Sequence, residues 1–369
     1  MQMRKGVKKI DEQFYMNLAL ELASATRGQT APNPMVGSVI VNNGEIVGMG
    51  AHLIAGEPHA EVHALRMAGE KAKGAAIYVT LEPCSHYGRT PPCAEAIIAA
   101  GIKRVIIASQ DPNPHVSGKG IKLMKEAGIE VTIGVLAQKA DKLNEVFFYN
   151  MAKQLPFVTM KQAITLDGKI ATKTGHSKWI TGELARQDVH IDRSVHDAIL
   201  VGSNTILRDN PRLTNRSQTS KRQLIRLILD TNLNIPKDSN VLTDGAAPTW
   251  IITGSEITDE KAAQYANEYI KVIRMSTPEI QIEETLKVLF ENGITSIYVE
   301  GGQQVNASFL KSGFVNRIVT YLSPKIIGGS EAPNMIGDLQ IMTMSEAFQL
   351  SFESIEQLGD DIKITSKLK

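Results

Sequence analysis

Residues 83–93, PCSHYGRTPPC, hold both cysteines of a 369-residue chain, Cys84 and Cys93, with eight residues between them. What surrounds each cysteine sets its local structure. The run AAIYVTLEPC (75–84) reads as a strand that expires at Cys84, and Pro91-Pro92 leads into the apolar helical pattern CAEAIIAAG (93–101). Cys93 therefore opens a helix, where unpaired N–H groups and the positive end of the dipole favour a thiolate. Upstream, EPHAEVHALRMAG (57–69) carries Pro58, suited to a first helical turn, and so puts His59 at another helix start. A strand flanked by two helices makes this an α/β arrangement, with three sulfur or imidazole groups at element ends.

Working outward, strands and helices keep alternating. A helix over 11–28 precedes a hairpin about Asn42-Asn43-Gly44; KRVIIASQD, GIKLMKEAG and EVTIGV read as strand, helix and strand, and LAQKADKLNEVFFYNMAKQ as one helix. Leu155-Pro156 interrupts that pattern, and the strand FVTMKQAI begins beyond it. The second half alternates again, with strands AILVG, LIRLILD, PTWIITG, YIKVIRM, SIYVEGG and RIVTYLSPKIIG and helices near 183–194, 281–292 and 303–312. Its last two strands, QLSFESIEQLG and DIKITSKL, have no helix between them and predict antiparallel pairing. The expected architecture is α/β in two domains, each a sheet covered by helices: a flexible arm (1–10), a first domain (11–150) and a second (151–369).

Forty basic and thirty-nine acidic residues give a net charge of +1, which exerts no global pull on nucleic acid or an acidic membrane. No apolar run approaches the roughly 20 residues of a membrane span, and the basic start MQMRKGVKKI lacks a following apolar h-region. The expectation is a cytoplasmic protein with no nucleic-acid or membrane partner. In a reducing compartment two nearby cysteines mark metal or redox chemistry more often than a disulfide.

His59, Cys84 and Cys93 are three ligands suited to Zn²⁺, one ion per chain, and three protein ligands leave a fourth position for water. Such a site lowers the pKa of bound water to about 7. A general acid/base is still needed, and Glu61, two residues after His59, is the candidate. Residues i and i+2 point about 200° apart in mid-helix, but at a first turn both can reach over the helix end, so the metal must sit there. His63 is i+4 from His59; in a two-histidine zinc helix the glutamate directly follows the first histidine, whereas here Ala60 does, and His63 reads as structural.

His-x-Glu followed by Pro-Cys and a second cysteine resembles the zinc nucleobase deaminases, apart from the long spacer between the cysteines. QTAPNPMVGSVIV, GMGAH, HAEVHA, TLEPCSHYGRTPPC and DPNP occur in the order and spacing of the deaminase half of the bifunctional riboflavin-biosynthesis deaminase/reductase family, which has that spacer. KQAITLDGKIA, HSKWITG, VGSNTILRDNPRLTNR, ILDT, VEGG and LSPKIIGG resemble its reductase half, so the similarity covers nearly the whole chain. The resemblance implies a cytidine-deaminase-like domain followed by a dihydrofolate-reductase-like one, and two steps on one ribosylaminopyrimidine phosphate. The first replaces the 2-amino group of the pyrimidine by oxygen, with Glu61 moving the protons. The second transfers hydride from NADPH to C1′ of the ribose, opening it to a ribityl chain. It also suggests a homo-oligomer.

By motif match, Asn33 and His52 fall on pyrimidine-pocket positions, although Pro-Asn-Pro alone is a plain turn former. His86, Arg89 and Asn113 are candidates for the substrate phosphate, against the alternative of a solvated loop. In the second domain no GxGxxG follows a strand; SIYVEGGQQVNASFL instead sets Gly-Gly between a strand and a helix, where unpaired N–H groups could take a pyrophosphate. The resemblance makes Gly302, Gln303, Gln304, Val305, Asn306, Ala307 and Ser308 cofactor residues, with Ala163, Trp179, Thr205, Asp209 and Thr231. It assigns Ser177, Arg193, Leu213, Arg216 and Glu300 to the substrate. Read alone, Arg193 is a solvated helix face and Trp179 is core. Lys161 and Glu300 are the candidates for polarising or protonating the sugar oxygen.

Overall fold

The computed structural model describes residues 12–87, 91–113, 117–217 and 222–369. The expected arm, 1–10, and Arg89 lie outside them. The chain divides into two compact units between Lys153 and Gln154.

The first unit runs α1 (Glu12–Ser24), β1 (Gly37–Asn42), β2 (Glu45–Ala51), α2 (Ala60–Ala68), β3 (Ala76–Leu81), α3 (Cys93–Ala99), β4 (Arg104–Ser109), α4 (Lys119–Glu126), β5 (Glu130–Ile133), α5 (Ala137–Leu143) and α6 (Glu145–Lys153). Its sheet has the order β2-β1-β3-β4-β5. The β1 strand is antiparallel to β2 and β3, while β3, β4 and β5 are parallel. Both faces are buried, and the period of two sorts the side chains. Val39, Val41, Tyr78, Ile106 and Ala108 meet Tyr15, Met16 and Ala19 of α1 on one face. Ile40, Ile77, Val79, Val105 and Ile107 meet Ala64, Ala68, Ala94, Ile97 and Met124 on the other.

The single helix expected across 136–154 is two, α5 and α6, broken at Asn144. That side chain is 3% exposed and bonds Met35 twice, its Oδ1 accepting the amide and its Nδ2 donating to the carbonyl, each at 2.8 Å. The break faces this buried Asn144 toward the chain entering β1.

The second unit continues with β6 (Phe157–Thr165), α7 (Glu183–Ser194), β7 (Ala198–Gly202), α8 (Ser203–Asp209), β8 (Ile225–Leu229), α9 (Asn240–Thr243), β9 (Thr249–Thr253), α10 (Asp259–Ala263), β10 (Ile270–Arg274), α11 (Ile282–Glu291), β11 (Ser296–Val299), α12 (Gln303–Ser312), β12 (Arg317–Ser323), β13 (Leu350–Leu358) and β14 (Asp361–Leu368). The nine strands lie in the order β10-β9-β8-β7-β11-β6-β12-β14-β13. They are parallel through β12, and β14 and β13 close the sheet antiparallel, as the helix-free end of the sequence predicts. The short helices α8, α9 and α10 escape the sequence reading, having too few turns to show a period.

Helix α7 packs Ala185 and Val189 on Tyr298, Val319 and Tyr321. A polar clamp fixes it in rotation: Tyr321 Oη donates to Asp188 at 2.6 Å and Asp192 at 2.9 Å, and Lys363 Nζ donates to the same carboxylates at 2.6 and 3.2 Å.

In the first unit, α2 can lie on β2 only because of two glycines. A Cβ on Gly48 would sit 2.2 Å from the Ala64 carbonyl oxygen, and one on Gly50 would sit 2.3 Å from that of Ala60 and 2.6 Å from His63 Cβ. This approach sets where the start of α2, and with it His59, comes to rest. Gly50→Ala is therefore expected to cost about 1–3 kcal/mol by overpacking. Thermal unfolding should show a fall of roughly 5 °C for the first unit, and the purified protein should retain less metal; wild-type values of both would contradict this account.

Candidate functional site

His59 is the residue before α2, with extended backbone (φ −73°, ψ 165°), and its carbonyl accepts the amides of Val62 and His63 at 3.1 and 3.2 Å. Cys93 is the first residue of α3 and Cys84 lies three residues past β3. The start of α3 closes on the first cysteine: the Cys93 amide donates to Cys84 Sγ at 3.3 Å and the Ala94 amide to the Cys84 carbonyl at 3.1 Å. His59 Nδ1 lies 3.3 Å from Cys93 Sγ and 3.5 Å from Cys84 Sγ. Tetrahedral zinc with bonds of about 2.0 Å to nitrogen and 2.3 Å to sulfur sets such ligands about 3.5 Å apart, so the donor set fits that ion. These three form the one cluster of its kind among the described residues, and neither cysteine is in a disulfide. Hydrogen bonds from the Cys93 thiol and amide and from His59 draw the Cys84 thiol well down toward thiolate.

Glu61 stands in the first turn of α2, 3% exposed, with Oε2 buried and without a protein partner. Burial, then the charge on Cys84, pushes its carboxyl up to about 7. A carboxyl poised there can exchange a proton at neutral pH. Asn33 Nδ2 donates to His52 Nε2 at 3.1 Å, which leaves His52 Nδ1–H to donate to the Pro58 carbonyl at 3.3 Å. Burial lowers the His52 pKa, so the ring stays neutral. A cavity of about 460 Å³ joins Asn33, His52, His59, Glu61, Cys84, His86 and Asn113.

The sequence reading overlooked three parts of this cavity. Asp111 and Phe147 line it. Glu82, 4% exposed, is the third: it accepts the amides of Gly118 at 3.0 Å and of Asp111 and Ile121 at 3.4 Å, and so holds Asp111, two residues before Asn113. Its place directly before Pro83-Cys84 was the available signal.

In the second unit, α8 follows β7 and α12 follows β11, two neighbouring parallel strands. Both helix starts face a cavity of about 320 Å³ lined by Thr205, Asp209 and Gly302 through Val305. Paired helix starts at the carboxyl ends of parallel strands are a setting for an anion. Gly202 and Gly301 bring α12 close: a Cβ on either would lie 2.8 or 2.5 Å from Val305 methyl carbons. A second cavity, of about 640 Å³, shares Ser177, Thr205, Asp209 and Gly302 and adds Lys161, Ala163, Trp179, Arg193, Arg216, Glu300 and Asn306. Ala307 and Ser308 line a groove further along α12.

Two expected residues sit apart from these walls. The Leu213 side chain is 7% exposed and packs in the core with Ile199 and Ile228. Thr231 lies two residues beyond β8 and binds the Gly254 amide through its carbonyl at 3.0 Å. Trp179 is 62% exposed rather than core, with the Arg186 guanidinium 4.6 Å from its ring centroid. Arg193 is not on a solvated face: Nε donates to Glu300 Oε1 at 2.5 Å and Nη1 to the Thr214 carbonyl at 3.2 Å. Lys161 Nζ holds the other Glu300 oxygen at 3.3 Å. Burial alone would raise the Glu300 carboxyl, but Arg193 and Lys161 outweigh it and hold it at about 2.

Two family profiles match the chain: the cytidine and deoxycytidylate deaminase zinc-binding region over residues 9–109 and the RibD C-terminal domain over 156–364. The riboflavin biosynthesis protein RibD of Bacillus amyloliquefaciens is 53% identical over 355 residues, covering 96% of each chain. That of Escherichia coli K12 is 40% identical, covering 96% of this chain and 98% of its own. The crystal structure of a diaminohydroxyphosphoribosylaminopyrimidine deaminase/5-amino-6-(5-phosphoribosylamino)uracil reductase from Thermotoga maritima superposes with a TM-score of 0.87 at 36% identity, covering 97% of this chain and 98% of its own. Acinetobacter baumannii RibD gives 0.86 at 38% identity with the same coverage. With a His/Cys/Cys centre in one unit and a reductase unit behind it, the chain belongs to the RibD family of bifunctional riboflavin-biosynthesis deaminase/reductases.

Proposed function

We propose that the chain performs both reactions on one substrate, with the residues assigned as follows. The observation that carries the deaminase half is the buried Glu61 carboxyl, with Oε2 unpartnered, beside the His59/Cys84/Cys93 cluster. Bound at those ligands, Zn²⁺ supplies the Lewis acidity that makes water a nucleophile near neutral pH. Glu61 carries one proton of the attacking water to the ring nitrogen and the other to the departing 2-amino group of 2,5-diamino-6-ribosylamino-4(3H)-pyrimidinone 5′-phosphate, so that water is consumed and ammonia leaves. Asn33 and the neutral His52 hold the pyrimidine edge, and His86, Arg89 and Asn113 are assigned to the phosphate end.

The uracil product is then reduced in the second unit. NADPH supplies the hydride, held by Gly302 to Ser308 along α12 with Ala163, Trp179, Thr205, Asp209 and Thr231. Ser177, Arg193 and Arg216 take the substrate, and Leu213 joins them through its backbone. Because Glu300 is held ionised by two cations, it cannot be the proton donor. Lys161 is assigned that role, protonating the ring oxygen as hydride reaches C1′, with Glu300 orienting it.

The two unpaired thiols suit the reducing cytoplasm, the proposed location. The proposed homo-oligomer is supported by the edge strand β13, where Phe352 and Ile355 are 67% and 61% exposed. An apolar edge of this kind is a pairing surface unless something covers it.

Four measurements test these assignments. Glu61→Gln should keep one zinc per chain by metal analysis while ammonia release falls about 10²–10⁴-fold; undiminished deamination would remove Glu61 from the mechanism. Cys84→Ser should lose zinc and deamination yet still consume NADPH on supplied uracil intermediate, whereas Lys161→Met should do the reverse, with reduction down at least about 100-fold. Ammonia release by the wild-type enzyme with no fall in NADPH absorbance would defeat the reductase half. In sedimentation, the Phe352→Lys/Ile355→Lys double variant should run as a monomer; an unchanged oligomer would exclude β13 as the contact.

A further inference from the structure

Arg216 reaches the reductase cavity from residues 211–217, a segment in neither helix nor strand. Two of its backbone groups meet α7. The Thr214 carbonyl accepts from Arg193 Nη1 at 3.2 Å, and the Arg216 amide donates to His190 Nδ1 at 3.3 Å. His190 and Arg193 are three residues apart and so share one face of the helix. Through two side chains α7 thus gives this segment the acceptor and donor that a neighbouring strand gives in a sheet. Arg193 continues to Glu300, and Glu300 to Lys161, so the contacts run unbroken from the Thr214 carbonyl, two residues before Arg216, to the proposed proton donor.

The chemistry of the acceptor is informative. His190 lines the cavity among Lys161, Arg193 and Arg216, with Glu300 the facing carboxylate. An Asp or Glu in its place would pair with those cations and compete with an incoming phosphate dianion. A neutral imidazole accepts the Arg216 amide and adds no charge to compete for the Arg216 guanidinium. The contact at Nδ1 puts the imidazole proton on Nε2, and burial with the two arginines keeps the ring unprotonated, its pKa drawn down to about 4.

We propose that His190 is a positioning residue for the substrate phosphate: by accepting the Arg216 amide it sets that guanidinium where the 5′-phosphate binds. This rests on the assignment of Arg216 to the substrate, and the test separates the two. Reduction by the full-length enzyme is measured on the aminouracil ribosyl 5′-phosphate and on the corresponding dephosphorylated nucleoside. The readout is the ratio of kcat/KM for the two, in the wild type, Arg216→Gln, His190→Gln and His190→Asn.

Gln carries its polar atoms at the reach of Nε2, whereas Asn can offer its oxygen at the position of Nδ1. His190→Gln should therefore lower the phosphate preference about tenfold, a loss on the scale of one hydrogen bond, and should do so through KM. His190→Asn should restore most of it. Equal losses on both substrates, a loss confined to kcat, or identical behaviour of the Gln and Asn variants would overturn the proposal. A wild-type ratio in His190→Gln while Arg216→Gln loses its preference would overturn the role of His190 alone. A wild-type ratio in Arg216→Gln would overturn the assignment of Arg216 and the positioning role with it.

Discussion

Both sites are built on the unpaired N–H groups at helix starts. In the first unit the opening amides of α3 grip Cys84, one at the sulfur and one at the carbonyl, while α2 opens at His59. Cys84 is therefore held by helix-start amides that have no partner within their own helix. In the second unit α8 and α12 open side by side at the ends of β7 and β11 and face a cavity. One supply of unsatisfied donors is used for a thiolate in one unit and is available to a phosphate in the other. The dependence is steric as well as electrical. Helices reach these positions only where glycine lets them approach a strand, at Gly48 and Gly50 under α2 and at Gly202 and Gly301 under α12.

The parts legible in the sequence were those that show in the spacing of neighbours. Cysteines after Pro-Cys and Pro-Pro, a histidine after Pro58, and Gly-Gly between a strand and a helix declare element ends, and element ends are where these sites lie. The alternation that predicts a fully covered sheet likewise appears in β1, β3 and β4, where neighbouring residues part to opposite faces. What stayed hidden depends on contacts far apart in the chain. Asn144 breaks a helix because of Met35, 109 residues away. Arg193 looks like a helix-surface cation until Glu300, 107 residues later, comes beside it. His190 offers no motif at all, since its partner is a backbone amide 26 residues on. Trp179 failed in the other direction: large and apolar, it reads as core, yet it forms an open cavity wall under Arg186.

The two carboxylates that matter most, one buried and one nearly so, are driven to opposite states. Glu61 has an oxygen without a protein partner and a neighbouring thiolate, so desolvation dominates and its carboxyl rises to about 7. Glu300 has a guanidinium on one oxygen and an ammonium on the other, so pairing dominates and it stays near 2. Environments that push like groups apart assign them different work. A carboxyl near 7 can take a proton and give it back within one turnover, and a dication on the adjacent ligands pulls it further toward the base form. A carboxylate near 2 has no proton to give at any ordinary pH, so its use is positional: it fixes Lys161 on one side and Arg193 on the other. Of the two cations that Glu300 holds, Lys161 is the one without a further backbone tie, which is what favours it for the proposed acid role.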